Sequence, residues 1–381
     1  MRKYCAGRSL AYPLAILDFF VDKYAQWFYK RRKRTKINHF SPKILILSSG
    51  HLGDTLILSY LFPTIKKKYA HAEIDLVVGD WCLGVLKDNP YINEVFIINH
   101  ANTNRKKISK WAKWKDYYKT ATETIAKLRH KTYDFSIDIR FSGYPFHWIL
   151  PFIKVNQTIG FGTRGFGGLL DNEFFMTEDD VHHLVYFKPL LGAIGVEFEI
   201  ETLEPYFPII ASTEENFIQK TKDLELNQPY IVIFPEAGEI FKLQSIEFWQ
   251  QLSIEIKKTF LGTIFVCGQT ELVDKVTEAI GDKGVGLRDK FRLNELPLLM
   301  RNAEKVFCLD SMPAHLSSIF TKTICFSSKS LGISFFPINA QPTICFYDHQ
   351  KSKNKPFLRK NFKAVFVEKF DNQVITEAVK F

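Results

Sequence analysis

The sequence predicts an α/β protein of two doubly wound domains facing a cleft, with an amphipathic helical leader in front of them. Three observations carry this reading. Short apolar runs rich in β-branched residues alternate with longer polar or amphipathic segments from Lys43 onward. The alternation breaks over residues 199–229 and then starts again, and the first 38 residues follow a separate helical periodicity. A length of 381 residues fits two domains, and 46% hydrophobic with 24% charged residues is the balance of a globular chain rather than a disordered or membrane-spanning one.

In the leader (1–38), Leu10, Leu14, Leu17, Phe20, Val21, Tyr24, Trp27 and Phe28 recur at spacings of three and four, while Asp18, Asp22 and Gln26 stack on another face. A basic run follows: Lys30, Arg31, Arg32, Lys33, Arg34 and Lys36. A signal peptide has an unbroken apolar core, which Asp18 and Asp22 interrupt here. No stretch reaches the roughly 18 to 20 uninterrupted apolar residues of a spanning helix. Two readings stay open: a helix lying in the headgroup region of an anionic membrane, and a leading helix packed on the protein itself.

The first α/β series (39–205) has strands expected at Ile44–Leu47, Ile74–Val78, Val95–Ile98 and Phe135–Ile139. Glu199, Glu201, Glu204, Pro205 and Pro208 then break the rhythm, which places the boundary near residue 205. The second series (206–381) has strands expected at Tyr230–Phe234, Thr263–Cys267, Lys305–Leu309 and Thr323–Phe326. In open parallel sheets, ligands bind at the carboxyl ends of the strands.

The net charge of +10 admits nucleic acid, an anionic membrane surface or a phosphorylated substrate. Part of it lies in a second run, Arg105, Lys106, Lys107, Lys110, Lys113 and Lys115. No nucleic-acid module accompanies the charge, so nucleic acid is not expected as a partner. Cys5, Cys82, Cys267, Cys308, Cys325 and Cys345 are scattered, without a C-x-x-C pair; Cys267, Cys308 and Cys325 lie in apolar runs and read as buried reduced thiols, which points to a reducing cytoplasm.

Three segments can carry chemistry. In the first, Ile44–Leu47 runs into Ser48, Ser49, Gly50, His51, Leu52, Gly53 and Asp54. The glycines permit a tight turn and close approach of a ligand to backbone amides, and Asp54 near a helix start can take a proton from a substrate hydroxyl or simply cap the helix. The spacing is not the G-x-G-x-x-G of a dinucleotide site, which removes the main support for a dehydrogenase. The second segment places Pro235, Glu236, Ala237, Gly238 and then Lys242 after a strand, where a lysine can set a point charge on a diphosphate or remain a solvated loop residue. In the third, Asp310 and Ser311 occupy a turn before Met312, Pro313, Ala314 and His315. Pro313 suits a first helical turn, and the amides of Ser311 and Met312 can meet phosphate oxygens there. His315 reads either as a member of that site or as a packed core histidine.

At these places the chain resembles glycosyltransferase family 9, the heptosyltransferases that use ADP-heptose. The family has G-x-x-G-D after its first strand, a loop glycine and lysine after the first strand of its second domain, and D-S/T-G-P-A-H-L before a late helix. Further similar stretches are Asp75–Trp81 with Asn89 and Pro90, Tyr133–Arg140, Ile159–Gly165 and Leu190–Val196, so the resemblance spans roughly residues 43–350. It implies two Rossmann-like domains of the GT-B type and an inverting, metal-independent transfer of a sugar, a heptose above all, to a lipopolysaccharide-type or other lipid-linked glycan. It also implies Asp54 as the base, with Gly50, His51 and Gly53 on the acceptor side of the cleft. Lys242, Gly238, Asp310, Ser311, Met312 and His315 would hold the donor. No cofactor is implied beyond the substrate nucleotide-sugar.

The chain departs from the family pattern at Met312, where the family has glycine, and at Phe234–Gly238, where the family has H-P-G-A-G. The absence of a D-x-D pair argues against a divalent cation on the diphosphate, and the adjacent His182 and His183 diverge on a helix. A second reading, a catalytically weak relative that binds sugar nucleotides or serves assembly, rests on Met312 and Glu236. A lipid-linked acceptor would suit a basic, aromatic leader at the inner face of the cytoplasmic membrane.

Overall fold

The computed structural model describes residues 4, 8–141, 143–176, 181–328, 332–348 and 359–381; Cys5 of the leader lies outside them. The chain divides into two compact units, Met1–Asp179 with Leu184–Ile200, and Asp180–His183 with Glu201–Phe381.

The first unit holds β1 (Lys43–Leu47), β2 (Glu73–Val78), β3 (Glu94–Ile97), β4 (Thr132–Asp138), β5 (Lys154–Phe161) and β6 (Asn172–Phe174). They form one parallel sheet in the order β3-β2-β1-β4-β5-β6, with Ile44 opposite Phe135 and Leu47 opposite Asp138. The second unit holds β7 (Tyr230–Phe234), β8 (Thr263–Gly268), β9 (Gly284–Arg288), β10 (Lys305–Leu309), β11 (Thr323–Ser327), β12 (Thr343–Tyr347) and β13 (Phe362–Phe366). Their order, β13-β12-β11-β10-β7-β8-β9, repeats the arrangement of the first unit with one strand more. In both sheets the first and fourth strands of the unit are neighbours, which is the point where a doubly wound sheet reverses its strand order.

Both sheets are covered on their faces, so their central strands are continuous apolar runs. Leu45, Leu47, Val77, Phe96, Tyr133 and Phe146 share the first core; Ile231, Ile233, Trp249, Phe307, Phe326 and Ile375 share the second. Burying each such aliphatic or aromatic side chain is worth about 1.5–3 kcal/mol. The expected strands are all present. β5, β6, β9, β12 and β13 are additions: Asn156 and Gln157 interrupt the apolar run of β5, β9 carries Gly284 and Gly286 on a sheet edge, and β6 has only three residues.

The leader forms a helix, Arg8–Trp27, which packs on the first unit. Ala25 and Tyr29 enter its core. The expected apolar stripe is not one face. Asp18, only 2% exposed, accepts from the amide of Phe166 at 2.6 Å and the hydroxyl of Tyr4 at 2.8 Å, and the helix lies close against Gly165 and Gly168. Leu14 and Val21 share that inward side, while Phe20, Tyr24, Trp27 and Phe28 are exposed. Side-chain periodicity counts apolar residues but does not register that a buried aspartate can satisfy a loop amide. Beyond the helix, Arg32 meets Asp171 at 2.8 Å and the carbonyl of Val155 at 3.1 Å, fastening the connection to the sheet. Among the described residues no helix is long and apolar enough to cross a membrane.

His100, just past β3, stacks on Tyr144 with ring centroids 4.2 Å apart, and burial pushes its imidazole down to about 4. The folded state therefore keeps it neutral while the unfolded chain takes up a proton below the ordinary value of 6.5. Its contribution is complete above that pH and is lost as pH falls toward 4. The melting temperature of His100→Phe relative to wild type should rise as pH falls from 7 to 4; a constant difference across that range would contradict the assignment.

Candidate active site

In the first unit β1 leaves the sheet through Ser48, Ser49 and Gly50, and His51 is the N-cap of the helix Leu52–Ser59. Asp54, on the first turn, accepts from the His51 amide at 2.9 Å, so it does cap the helix. The same oxygen, Oδ2, also accepts from Arg140 Nη1 at 3.1 Å. Arg140 lies two residues beyond β4, the neighbour of β1, so strand order brings the pair together.

Arg140 is held by a buried carboxylate. Asp138, 1% exposed, accepts from the amides of Arg140 at 3.1 Å, Phe146 at 2.7 Å and His147 at 2.9 Å. The His147 ring spans Asp138 Oδ2 and the Gly165 carbonyl, 2.9 Å from each. Gly50 is required where it stands: a Cβ there would lie 2.8 Å from Asp54 Cβ and 3.2 Å from Arg140 Nη1. The Gly50 carbonyl accepts from the Trp81 indole at 2.9 Å, which fixes the turn from its other side. His51 and Gly53 are half-buried on that turn.

In the second unit Lys242 closes a short 3-10 turn, Ile240–Lys242, after β7. Its Nζ donates to Asp310 Oδ2 at 2.9 Å and to the Asp310 carbonyl at 3.1 Å. Asp310 follows β10, the neighbour of β7, so this pair also sits at a strand-order reversal. Ser311 is the N-cap of the helix Met312–Phe320 and donates from Oγ to the Glu236 carbonyl at 3.2 Å. Met312 is the first helical residue, a right-handed position that methionine takes without strain.

The Glu236 carboxylate accepts from the amides of Gln269 at 2.8 Å and Thr270 at 2.7 Å, so its charge is spent on the loop after β8. Gly238 is exposed in the loop before Lys242. His315 is buried, 4% exposed, and close enough to His182 to help lower that imidazole, which burial above all pushes down to about 3. Lys242, Asp310 and Ser311 thus gather at one point, with Met312 next in the chain, and the buried His315 lies on the first turn of the same helix.

Arg140 is the residue that sequence reasoning missed. The signal was its position just past a strand end, and it needed the β1–β4 adjacency to be read. The Gln244 amide donates to Ser328 Oγ at 2.6 Å, a contact between the segments that follow β7 and β11. Gly50→Ala should cost about 1–3 kcal/mol through overpacking against Asp54 and Arg140. Urea denaturation checks this, and a cost within error of zero would mean that the turn yields freely.

Residues 122–365 match glycosyltransferase family 9 (heptosyltransferase). The chain is 24% identical over 289 residues to lipopolysaccharide heptosyltransferase 3 of Escherichia coli K12, covering 70% of this chain and 76% of that protein. Among solved structures it is similar to the family 9 glycosyl transferase of Veillonella parvula, with 14% identity, a TM-score of 0.68, and 84% and 90% of the two chains covered. It is also similar to the E. coli heptosyltransferase WaaC with ADP, with 14% identity, a TM-score of 0.60, and 89% and 98% covered. With more than half of its length matched, and with two parallel-sheet α/β units like those of the GT-B heptosyltransferases, the chain belongs to glycosyltransferase family 9.

Proposed function

We propose that this glycosyltransferase moves a sugar, most simply a heptose, from a nucleoside diphosphate to a hydroxyl of a lipopolysaccharide-type or other lipid-linked glycan, with inversion and without a metal ion. The observation that carries this reading is the pair of charged couples at the two strand-order reversals, Asp54 with Arg140 and Lys242 with Asp310. Each supplies one half of the chemistry.

The acceptor hydroxyl attacks the anomeric carbon as the bond to the diphosphate oxygen breaks. Attack from the face opposite the leaving group inverts the configuration. Asp54 takes the hydroxyl proton, and Arg140 holds the Asp54 carboxylate in a single orientation while it does so. Lys242, with the amides at the start of the helix Met312–Phe320, offsets the charge that develops on the departing diphosphate. A lysine and helix-end amides can do this without a divalent cation. Asp310 keeps the ammonium in place before the donor arrives. ADP-heptose is the donor favoured by the relatives, since heptosyltransferase WaaC is described with ADP and with ADP-2-deoxy-2-fluoro heptose. The acceptor side belongs to Gly50, His51 and Gly53, and the site of action is the inner face of the cytoplasmic membrane.

Asp54→Asn keeps the cap and the neighbourhood of Arg140 but removes the base, so turnover should fall by about 100-fold or more with the melting temperature little changed. Near-normal turnover would leave Asp54 as a helix cap only. Lys242→Ala removes a charge-assisted contact of about 1.5–3 kcal/mol, so calorimetry should show ADP affinity lowered roughly ten- to a hundred-fold. Unchanged affinity would place the diphosphate elsewhere.

A further inference from the structure

The leader helix packs inward through Leu14, Val21 and Ala25 together with its acids, and leaves its large aromatic residues outside. Its two acidic residues, Asp18 and Asp22, are on the side packed against Gly165 and Gly168, and its aromatic residues face outward. Tyr12, Ile16, Phe20 and Phe28 are 72%, 64%, 65% and 70% exposed, with Phe19 and Trp27 beside them. A surface helix normally turns its apolar stripe to the core, and a contiguous exposed apolar face of this kind marks an interaction site.

Charge selects the occupant. From Leu10 to Lys36 every acid is on the inward side, so the exposed surface there is wholly cationic wherever it is charged. Lys23 lies over the Phe19 ring at 5.8 Å and Arg31 over the Trp27 ring at 5.5 Å, and exposed Lys30 and Lys33 extend the rim. A second copy of this face would bring like charges together. An anionic bilayer meets both demands: its acyl boundary takes the aromatic rings, and its headgroups take the lysines and arginines.

We propose that the outward face of the helix Arg8–Trp27, with Phe28, Lys30, Arg31 and Lys33, docks in the plane of an anionic lipid surface. This deepens the membrane part of the reading above and rests on it only for its purpose. The docked helix is tied to the site within its own unit. Asp18 holds the Phe166 amide, the neighbouring Gly165 carbonyl meets His147, His147 meets Asp138, and Asp138 holds the amide of Arg140, the partner of Asp54. A lipid-linked acceptor would therefore be met by the same unit that carries Asp54 and Arg140.

The test is co-sedimentation of the full chain with vesicles of phosphatidylglycerol and phosphatidylcholine, and with phosphatidylcholine alone. Wild type should bind the anionic vesicles, more weakly as salt rises. The triple variant Phe19→Gln, Phe20→Gln, Trp27→Gln should lower the partition coefficient by about tenfold or more. The triple variant Lys30→Gln, Arg31→Gln, Lys33→Gln should lower it by about ten- to a hundred-fold on anionic vesicles and leave any binding to phosphatidylcholine unchanged. Melting temperature and ADP affinity should match wild type in both, which separates a failure of docking from a failure of the transferase reading. Equal partition of wild type and both variants would overturn the proposal. So would a wild-type dimer that ignores vesicles and that the aromatic variant converts to monomer, since the face would then be a self-association surface.

Discussion

Both charged couples of this chain, Asp54 with Arg140 and Lys242 with Asp310, depend on the adjacency of the first and fourth strands in each sheet. At β1 and β4, and again at β7 and β10, the connections leave neighbouring strands toward opposite ends of the sheet. The loops part, and backbone groups a little beyond the strand ends, among them the His51 amide and the Asp310 carbonyl, are met by side chains. Buried or half-buried polar groups left unpaired cost about 1–3 kcal/mol each, so side chains must satisfy them. Asp54 takes the His51 amide and Arg140 together, and Lys242 takes both the carbonyl and the carboxylate of Asp310. The two couples have opposite polarity along the chain: acid then base in the first unit, base then acid in the second. One couple thereby presents a carboxylate beside a guanidinium, the other an ammonium beside a carboxylate.

Partly buried couples of this kind are poor as a source of stability, because removing charges from water offsets much of their attraction. Their value here is geometric. Asp138 fixes the backbone of Arg140, whose guanidinium meets Asp54, and Gly50 leaves the space for that contact. Asp138 is the keystone of the first unit. It organises three amides and one imidazole, and through His147 and Gly165 it links the Arg140 segment to the loop under the leader helix.

The two departures from the family motif have physical explanations that a linear pattern does not supply. Methionine at 312 begins a right-handed helix, so the missing glycine costs no backbone strain. The Glu236 carboxylate is hydrogen-bonded by the amides of residues 269 and 270 and by the Thr270 hydroxyl. Neither observation favours a weakened catalyst over a working one.

The sequence by itself determined the α/β class, eight of the strands, the glycine turn before Asp54, the proline-started helix after Ser311 and the family. These are local properties: alternating periodicity, a glycine where chain and ligand approach, a proline where an amide is not needed. Tertiary structure alone decided the partners. Arg140 reaches Asp54 across 86 residues and Lys242 reaches Asp310 across 68, distances set by sheet order and not by any spacing that a motif encodes. It also decided which side of the leader faces out. Periodicity shows that a helix is amphipathic, but whether its acids or its rings turn inward depends on what the underlying loop offers, and here the loop offers the Phe166 amide and two glycines.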